Sequence, residues 1–374
     1  MSDSEQLLFR HLAGIFQTHR SCVLEIEILP PEFGPLLQDG CAIGITKKAL
    51  VQAFVVARRV FFDKLVFWTD RELLTSCLSI TEKSDTAERS NFSGVTEIML
   101  LFDCEHLTAC NWRKRRLDVL IQSLRSGNGI ALGSTVAQVL ESELTLLTSF
   151  LCSPLHRHTK SPTLWQHRLW VMTQIFHIRA IALVDGFSIS SPSTTPDGEG
   201  LWGSKNTEEL IHSELSVALR ASEQHPRNVY AFSYMRHLHR ALSDTAEDIT
   251  TPSSAERLAR CIIYRTVEWC MAHPRDISGW MFALYLLQAT PDKDFRSSVL
   301  HRVVSFAVQV GWDGESLWIF VDQTARAFGL VNDLYITLPS LHGETSDLTG
   351  ADQTWRLWLA RARALWADCE NTST

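Results

Sequence analysis

One short pattern returns four times along the 374 residues. A turn, bearing proline in three of the copies and often a basic residue, leads into a helix that opens on an aromatic residue or a substitute for one. The fullest copy is Lys160-Ser161-Pro162-Thr163-Leu164-Trp165-Gln166-His167-Arg168-Leu169-Trp170. The others are Cys104-Glu105-His106-Leu107-Thr108-Ala109-Cys110-Asn111-Trp112-Arg113-Lys114, His225-Pro226-Arg227-Asn228-Val229-Tyr230-Ala231-Phe232 and His273-Pro274-Arg275-Asp276-Ile277-Ser278-Gly279-Trp280. Cys110, Trp165, Phe232 and Trp280 align, separated by 55, 67 and 48 residues. A weaker fifth copy places Trp318 in the aromatic slot. Self-similarity at intervals of tens of residues predicts stacked helical hairpins, each burying a face its neighbour completes.

The pattern has a physical reading. Trp165 and Arg168 lie three apart and so share a helix face. The indole can sink between neighbouring helices, and the guanidinium fork can bridge to carbonyls or carboxylates of the adjoining hairpin. Ser161 is placed to cap, and Pro162 sits in the first turn, where its missing N–H costs nothing. The Arg slot holds Arg113 and Arg168 in the first two copies, then Met235, Ala283 and Val321.

Helical periodicity runs from Lys47 to about Leu78 through Leu50, Phe54, Val55, Phe61, Phe62, Leu65 and Val66. Pairs of helices follow: Val95–Phe102 with Thr108–Leu124, Thr135–Leu151 with Pro162–Leu183, and Thr207–Ser222 with Arg227–Leu242. Ala255–Met271 pairs with Ile277–Gln288, and Phe295–Val310 with Glu315–Phe328. A last helix is expected over Asp352–Ala367, carrying Trp355, Trp358 and Trp366. Residues 1–46 read as an amphipathic helix near Leu7–His19 and an irregular arm lying on helices. The alternation Leu24-Glu25-Ile26-Glu27-Ile28-Leu29 fits a strand by period but lacks a clear partner. Residues 47–370 read as one helical-repeat domain. Segments 188–206 and 243–254, rich in Ser, Thr, Pro and Asp, read as surface insertions. The fold class is therefore all-α, a right-handed superhelix of about five to seven hairpins.

Composition excludes several functions. With 45% hydrophobic and 21% charged residues the chain is expected to be globular, and twelve Trp suit stacked helices. A net charge of −7 gives no footprint for nucleic acid. The densest basic run, Arg113-Lys114-Arg115-Arg116, reads as a solvated helix face. Nine cysteines without CxxC spacing, and no signal-like opening, suggest reduced thiols and a cytoplasmic protein. No stretch is apolar enough for a membrane span. The terminal Asn371-Thr372-Ser373-Thr374 is not a prenylation signal.

Gly127-Asn128-Gly129-Ile130-Ala131-Leu132-Gly133-Ser134-Thr135 lacks the lysine of a phosphate loop and reads as a connector capped by Ser134 or Thr135. Cys152, His156 and His158 do not make a convincing metal set, and no metal is expected on this chain.

These residues resemble the alpha-subunit repeat of protein prenyltransferases, Pro-Lys-Asn-Tyr-x-x-Trp-x-x-Arg. Leu107-Thr108-Ala109-Cys110-Asn111-Trp112-Arg113-Lys114, the Trp165 copy and Glu25-Ile26-Glu27-Ile28-Leu29-Pro30 resemble the divergent protein prenyltransferase alpha subunit repeat-containing proteins. The resemblance covers most of residues 20–330. It implies a crescent of hairpins that wraps a beta subunit carrying zinc. The pair would transfer farnesyl or geranylgeranyl from its diphosphate to a cysteine of a protein substrate such as a small GTPase or a SNARE. This chain would hold no cofactor and no catalytic residue of its own. In that family a lysine five residues before a repeat Trp reaches the lipid diphosphate. The matching slots here are Glu105, Lys160, Arg227 and Arg275, which makes Lys160 and Arg227 the diphosphate-proximal candidates. The Tyr slot beside Lys160 holds Pro162, a departure that leaves a plain turn lysine as the other reading. Cys110, Arg113, Trp165, Arg168, Phe232, Trp280 and Trp318 are expected to be structural. A helical-repeat adaptor with no part in lipid transfer is the alternative function.

Overall fold

The computed structural model describes residues 3–78, 94–126, 129–185, 207–244 and 254–337. The segment expected to form the last helix, most of the two expected insertions and Cys369 lie outside them. The described residues are dominantly helical, and the all-α class holds. They divide into two compact units that meet between Tyr234 and Met235.

The first unit opens with α1 (Asp3–Thr18), then β1 (Glu25–Leu29), β2 (Leu36–Asp39) and β3 (Ala42–Thr46). There follow α2 (Lys47–Asp63), α3 (Asp70–Leu78), α4 (Val95–Phe102), α5 (Leu107–Arg125), α6 (Gly129–Cys152), α7 (Pro162–Asp185), α8 (Thr207–Gln224) and the start of α9 (Val229–Asp244). The expected irregular arm is in fact a small sheet of order β1-β3-β2. β1 runs parallel to β3 with Ile26 opposite Ile43 and Ile28 opposite Ile45, and β2 is antiparallel to β3. The partner was hidden because its alternation, Ala42-Ile43-Gly44-Ile45-Thr46, merges into the helical period of α2. Thr46 ends the strand and also caps α2, accepting from the Ala49 amide. β1 lies on α6, where the Ser149 and Ser153 hydroxyls accept from the amides of Leu24 and Ile26 at 2.8 and 2.9 Å.

Two further expectations change. The run Lys47–Leu78 is two helices, interrupted at Lys64 by a 3₁₀ turn over Leu65–Phe67. The glycine-rich connector is not a connector beyond residue 128: α6 begins at Gly129, so Ser134 and Thr135 lie inside a helix rather than capping one. Gly129 and Gly133 do not outweigh the apolar face that follows, of which Val136, Val139, Leu140 and Leu147 are buried.

From α5 onward the packing has the layered pattern of hairpins. There α5 packs against both α6 and α7, and α6 against both α7 and α8. The second unit repeats it with α10 (Ser254–Ala272), α11 (Ile277–Gln288), α12 (Lys293–Gln309), α13 (Glu315–Phe328) and α14 (Val331–Thr337), as α10 packs on α11 and α12, and α11 on α13. Asp276 and Asp292 cap α11 and α12, and Gly329 closes α13 in the left-handed conformation.

Candidate functional site

The repeat signature is a piece of geometry before it is anything else. In the three copies with tryptophan, the indole N–H donates to the carbonyl six residues earlier. Trp165 Nε1 reaches Thr159 O at 2.9 Å, Trp280 Nε1 reaches Pro274 O at 3.1 Å, and Trp318 Nε1 reaches Trp312 O at 2.8 Å. Each ring thereby pins the turn that precedes its helix while remaining buried. Phe232 is buried without such a donor. Its turn is held instead by Asn228, whose Nδ2 donates to the same Thr159 carbonyl at 2.7 Å and so ties one copy to the one before. Cys110 is buried too, against His167 of the second copy.

The Arg slot carries a ladder between hairpins. Arg113 on α5 forks onto Glu143 of α6, Nε to Oε1 at 2.8 Å and Nη2 to Oε2 at 2.5 Å. Its Nη1 reaches Thr96 Oγ1 at 2.7 Å and Glu97 Oε1 at 2.9 Å. One repeat later, Arg168 on α7 forks onto Glu214 of α8 at 2.7 and 2.8 Å, with Nη1 on Leu144 O and Thr148 Oγ1. The next copy closes each rung. His167 Nε2 meets Glu143 at 2.7 Å, and the Tyr234 hydroxyl donates to Glu214 at 2.5 Å. Both closing residues stand two positions after the aromatic slot.

Apart from the partly exposed Glu97, these groups are buried. Burial opposes the Arg113 charge, but Glu143 and Glu97 more than offset it and raise the pKa above an ordinary arginine. Burial also pushes the Glu143 carboxyl up, and Arg113 with His167 overrides it, leaving Glu143 below the usual carboxylate range. His167 is raised, since its contacts with Cys110 and Glu143 outweigh the cost of burial. Burial, and after it the charge of Glu214, holds Tyr234 well above a free phenol.

The solvated-face reading of Arg113-Lys114-Arg115-Arg116 is therefore only partly right. At about 100° per residue, Arg113 turns inward while Arg115 stays half exposed, paired with Asp70 at 2.7 Å. The ladder acids, Glu143 and Glu214, and their partners His167 and Tyr234 were not singled out in the sequence. Nothing local marked either acid, because the partners that define it lie on other helices.

The diphosphate candidates fall on turns. Lys160 ends a 3₁₀ turn over His158–Lys160, is partly exposed, and has no hydrogen-bond or ion-pair partner among the described residues. The Asn228–Thr159 bond holds the turn of Arg227 against it. Arg227 is exposed and has φ +58°, a left-handed conformation that usually costs a non-glycine residue about 1 kcal/mol or more. The rings of His156 and His225 lie 4.8 Å apart beside them. Burial, then the Lys160 charge, lowers the pKa of His225, whose Nδ1 is buried with no partner among the described residues. Glu105, in the first copy's cation slot, instead accepts from the hydroxyls of Ser161 and Thr163 (to Oε2 at 2.5 Å from the latter) and staples that copy to the second. Ser161 caps α7 as expected, accepting from the Leu164 amide. Arg275 belongs to the second unit, where its guanidinium lies 5.8 Å over the Trp312 ring. Cys152 turns away from His156, its thiol donating to Val217 O, and no cluster of three metal-ligating side chains occurs among the described residues. None of the described helices is long and apolar enough to cross a membrane.

Trp165 and Arg168 stand at the Trp and Arg positions of the repeat pattern quoted above, whereas its Tyr position holds Pro162 and the later Arg positions hold Met235, Ala283 and Val321. No family model matches the chain. It is 23% identical over 210 residues to protein prenyltransferase alpha subunit repeat-containing protein 1-B of Xenopus laevis. The chain is similar to the divergent protein prenyltransferase alpha subunit repeat-containing proteins. The match takes in 56% of this chain and 40% of the relative, so the chain spans less than half the length of the relative it matches.

Proposed function

We propose that this chain is an alpha-type subunit of a heterodimeric protein prenyltransferase. It docks a beta subunit that carries zinc and the lipid pocket. The pair moves a farnesyl or geranylgeranyl group from its diphosphate to a C-terminal cysteine of a small GTPase or SNARE-like protein in the cytoplasm. The observation that carries this reading is the joint arrangement of the Trp165 copy: ring, arginine rung and basic turn are all present at once. Lys160 and Arg227 give the turns a cationic edge that can stabilise charge developing on a departing diphosphate. The left-handed Arg227 supports the same reading, because strain of this kind persists where a side chain must be presented in one direction.

Coexpression with zinc-bearing beta subunits, followed by prenyl transfer to a GTPase bearing a C-terminal cysteine, tests the proposal. A stable complex with Lys160-dependent turnover is expected. Failure to copurify with any beta subunit rejects it. A second reading, an adaptor without lipid transfer, draws on Pro162 in the Tyr slot and on Met235 and Ala283 in the Arg slot. It predicts a complex whose turnover ignores Lys160→Ala, or no beta subunit at all.

A further inference from the structure

Two thiols meet at the open end of the small sheet. β1 and β3 pair in parallel from Glu25 opposite Ala42, and the Glu25 amide donates to the Cys41 carbonyl at 2.9 Å. The ladder stops there, so both cysteines lie just outside it, Cys22 in the connection after α1 and Cys41 after the β2–β3 turn. The connection is anchored by the Cys22 amide, which donates to His19 O at 3.1 Å. The turn is held on the same side: Gln38 Nε2 donates to Gly40 O at 3.2 Å and lies 3.4 Å from His19 Nε2. These anchors bring the two side chains together, and the Cys22 and Cys41 thiols hydrogen-bond to each other. Both are free cysteines.

The pair differs from the other thiols in access. Among the described cysteines, Cys22 is exposed and Cys41 partly so, while five are buried. The remaining half-buried one, Cys261, donates its thiol to Leu258 O within its own helix. An oxidant therefore meets Cys22 first. The contact with Cys22, more than burial, raises the pKa of Cys41, so that Cys41 holds its proton until a reactive sulfur stands beside it. We propose that Cys22 and Cys41 form a peroxide-responsive dithiol, which closes to a disulfide and clamps the β2–β3 turn to the connection after α1. Cys22 takes one oxygen of the peroxide as a sulfenic acid; the O–O bond breaks and the other oxygen leaves as water. The Cys41 sulfur then attacks the Cys22 sulfur, the S–O bond breaks as the S–S bond forms, and a second water leaves. The two thiols lose two electrons and two protons, and the peroxide gains both. Because neither residue belongs to the ladder, the side chains can turn to the S–S distance of about 2.0 Å without breaking a strand pair. An exposed bridge is open to attack by other thiols, which makes the change reversible.

The test uses the full chain, reduced and then treated with equimolar hydrogen peroxide, its peptides mapped by mass spectrometry without reduction. The expected result is a peptide pair joined through Cys22 and Cys41, formed ahead of oxidation at any other cysteine and reversed by dithiothreitol. Cys22→Ser should abolish the bridge and leave Cys41 a free thiol. Cys41→Ser should strand the sulfenic acid, so that labelling of Cys22 by dimedone rises several-fold over the unmutated chain. The two residues are 19 positions apart, a loop long enough that the bridged chain should melt about 5 °C or more above the reduced one. The Tm of Cys22→Ser should ignore peroxide, and Cys22→Ala takes its place if that variant does not fold. The proposal is overturned if Cys22 of the unmutated chain stops at a sulfenic or sulfinic acid without bridging, or if the bridge forms only in urea. It is equally overturned if Cys22 pairs between two chains instead, or if the bridged chain melts no higher than the reduced one.

Discussion

Glu214→Gln is the most informative change to the ladder. The carboxylate faces Arg168 through two charge-assisted bonds of 2.7 and 2.8 Å and also accepts from Tyr234. The two side chains of the pair are 2% and 6% exposed, so water cannot replace what is lost. Removing one partner of a buried pair leaves the other charge uncompensated and typically costs about 3–5 kcal/mol. Arg168 would retain Leu144 O and Thr148 Oγ1, which places the expected loss near the lower end, at about 3 kcal/mol. Arg168→Met should cost a similar amount, because it strands Glu214 with one hydroxyl. The double variant should cost far less than the sum, since two uncharged groups of similar volume no longer need each other. Urea unfolding of the four proteins in a double-mutant cycle gives the coupling directly. Additivity within about 0.5 kcal/mol would refute the claim that the rung is one unit. The first rung supplies a built-in comparison: Arg113 keeps Glu97 when Glu143 is neutralised, so Glu143→Gln should cost less than Glu214→Gln.

Trp280→Phe should destabilise by about 1–2 kcal/mol in urea unfolding, because the Pro274 carbonyl loses its indole donor. Trp165→Phe should cost less by the same assay, since Thr159 O keeps Asn228. Gly94→Ala should cost more than about 1–3 kcal/mol, measured by thermal unfolding: Gly94 has φ +75°, and an added Cβ would stand 2.6 Å from the Ala13 backbone. His158 is lowered, chiefly by burial and despite its bond to Leu100 O, so its folded pKa lies below the unfolded value. The stability tied to its neutral form is present above about pH 6.5 and is lost as pH falls through the depressed folded value, so His158→Gln should flatten the acid-side decline in urea midpoints.

Most helix pairs were legible because each buries one stripe, and a 3.6-residue period survives in a single sequence. Expected and observed bounds of α4, α11 and α13 coincide. The sheet was less legible. A three-stranded sheet is defined by pairing between separate segments, and β3 shares its residues' apolar character with the helix it runs into. The polar interior was least legible of all. Nothing local to Glu143 distinguishes it from an exposed helix glutamate; its meaning comes from Arg113, thirty residues earlier, and from His167, in the next copy.

The decay of the signature along the chain follows from the same electrostatics. A rung needs three parts: an arginine, an acid on the following helix, and a donor from the next copy. Any one alone in an apolar interior is a liability, so the three should be kept or lost together. The third copy has Met235 in the Arg slot, and the fourth has Phe282 in the position where His167 and Tyr234 close their rungs. Both are buried, whereas the two acids of α10, Glu256 and Glu268, are not. The later copies have thus exchanged a charged rung for apolar packing. Such an exchange is often neutral for stability and removes only the angular constraint of the fork. Installing Met235→Arg alone should therefore destabilise the chain by several kcal/mol, the cost of a lone buried charge, and no single acid on α10 as it stands can relieve it.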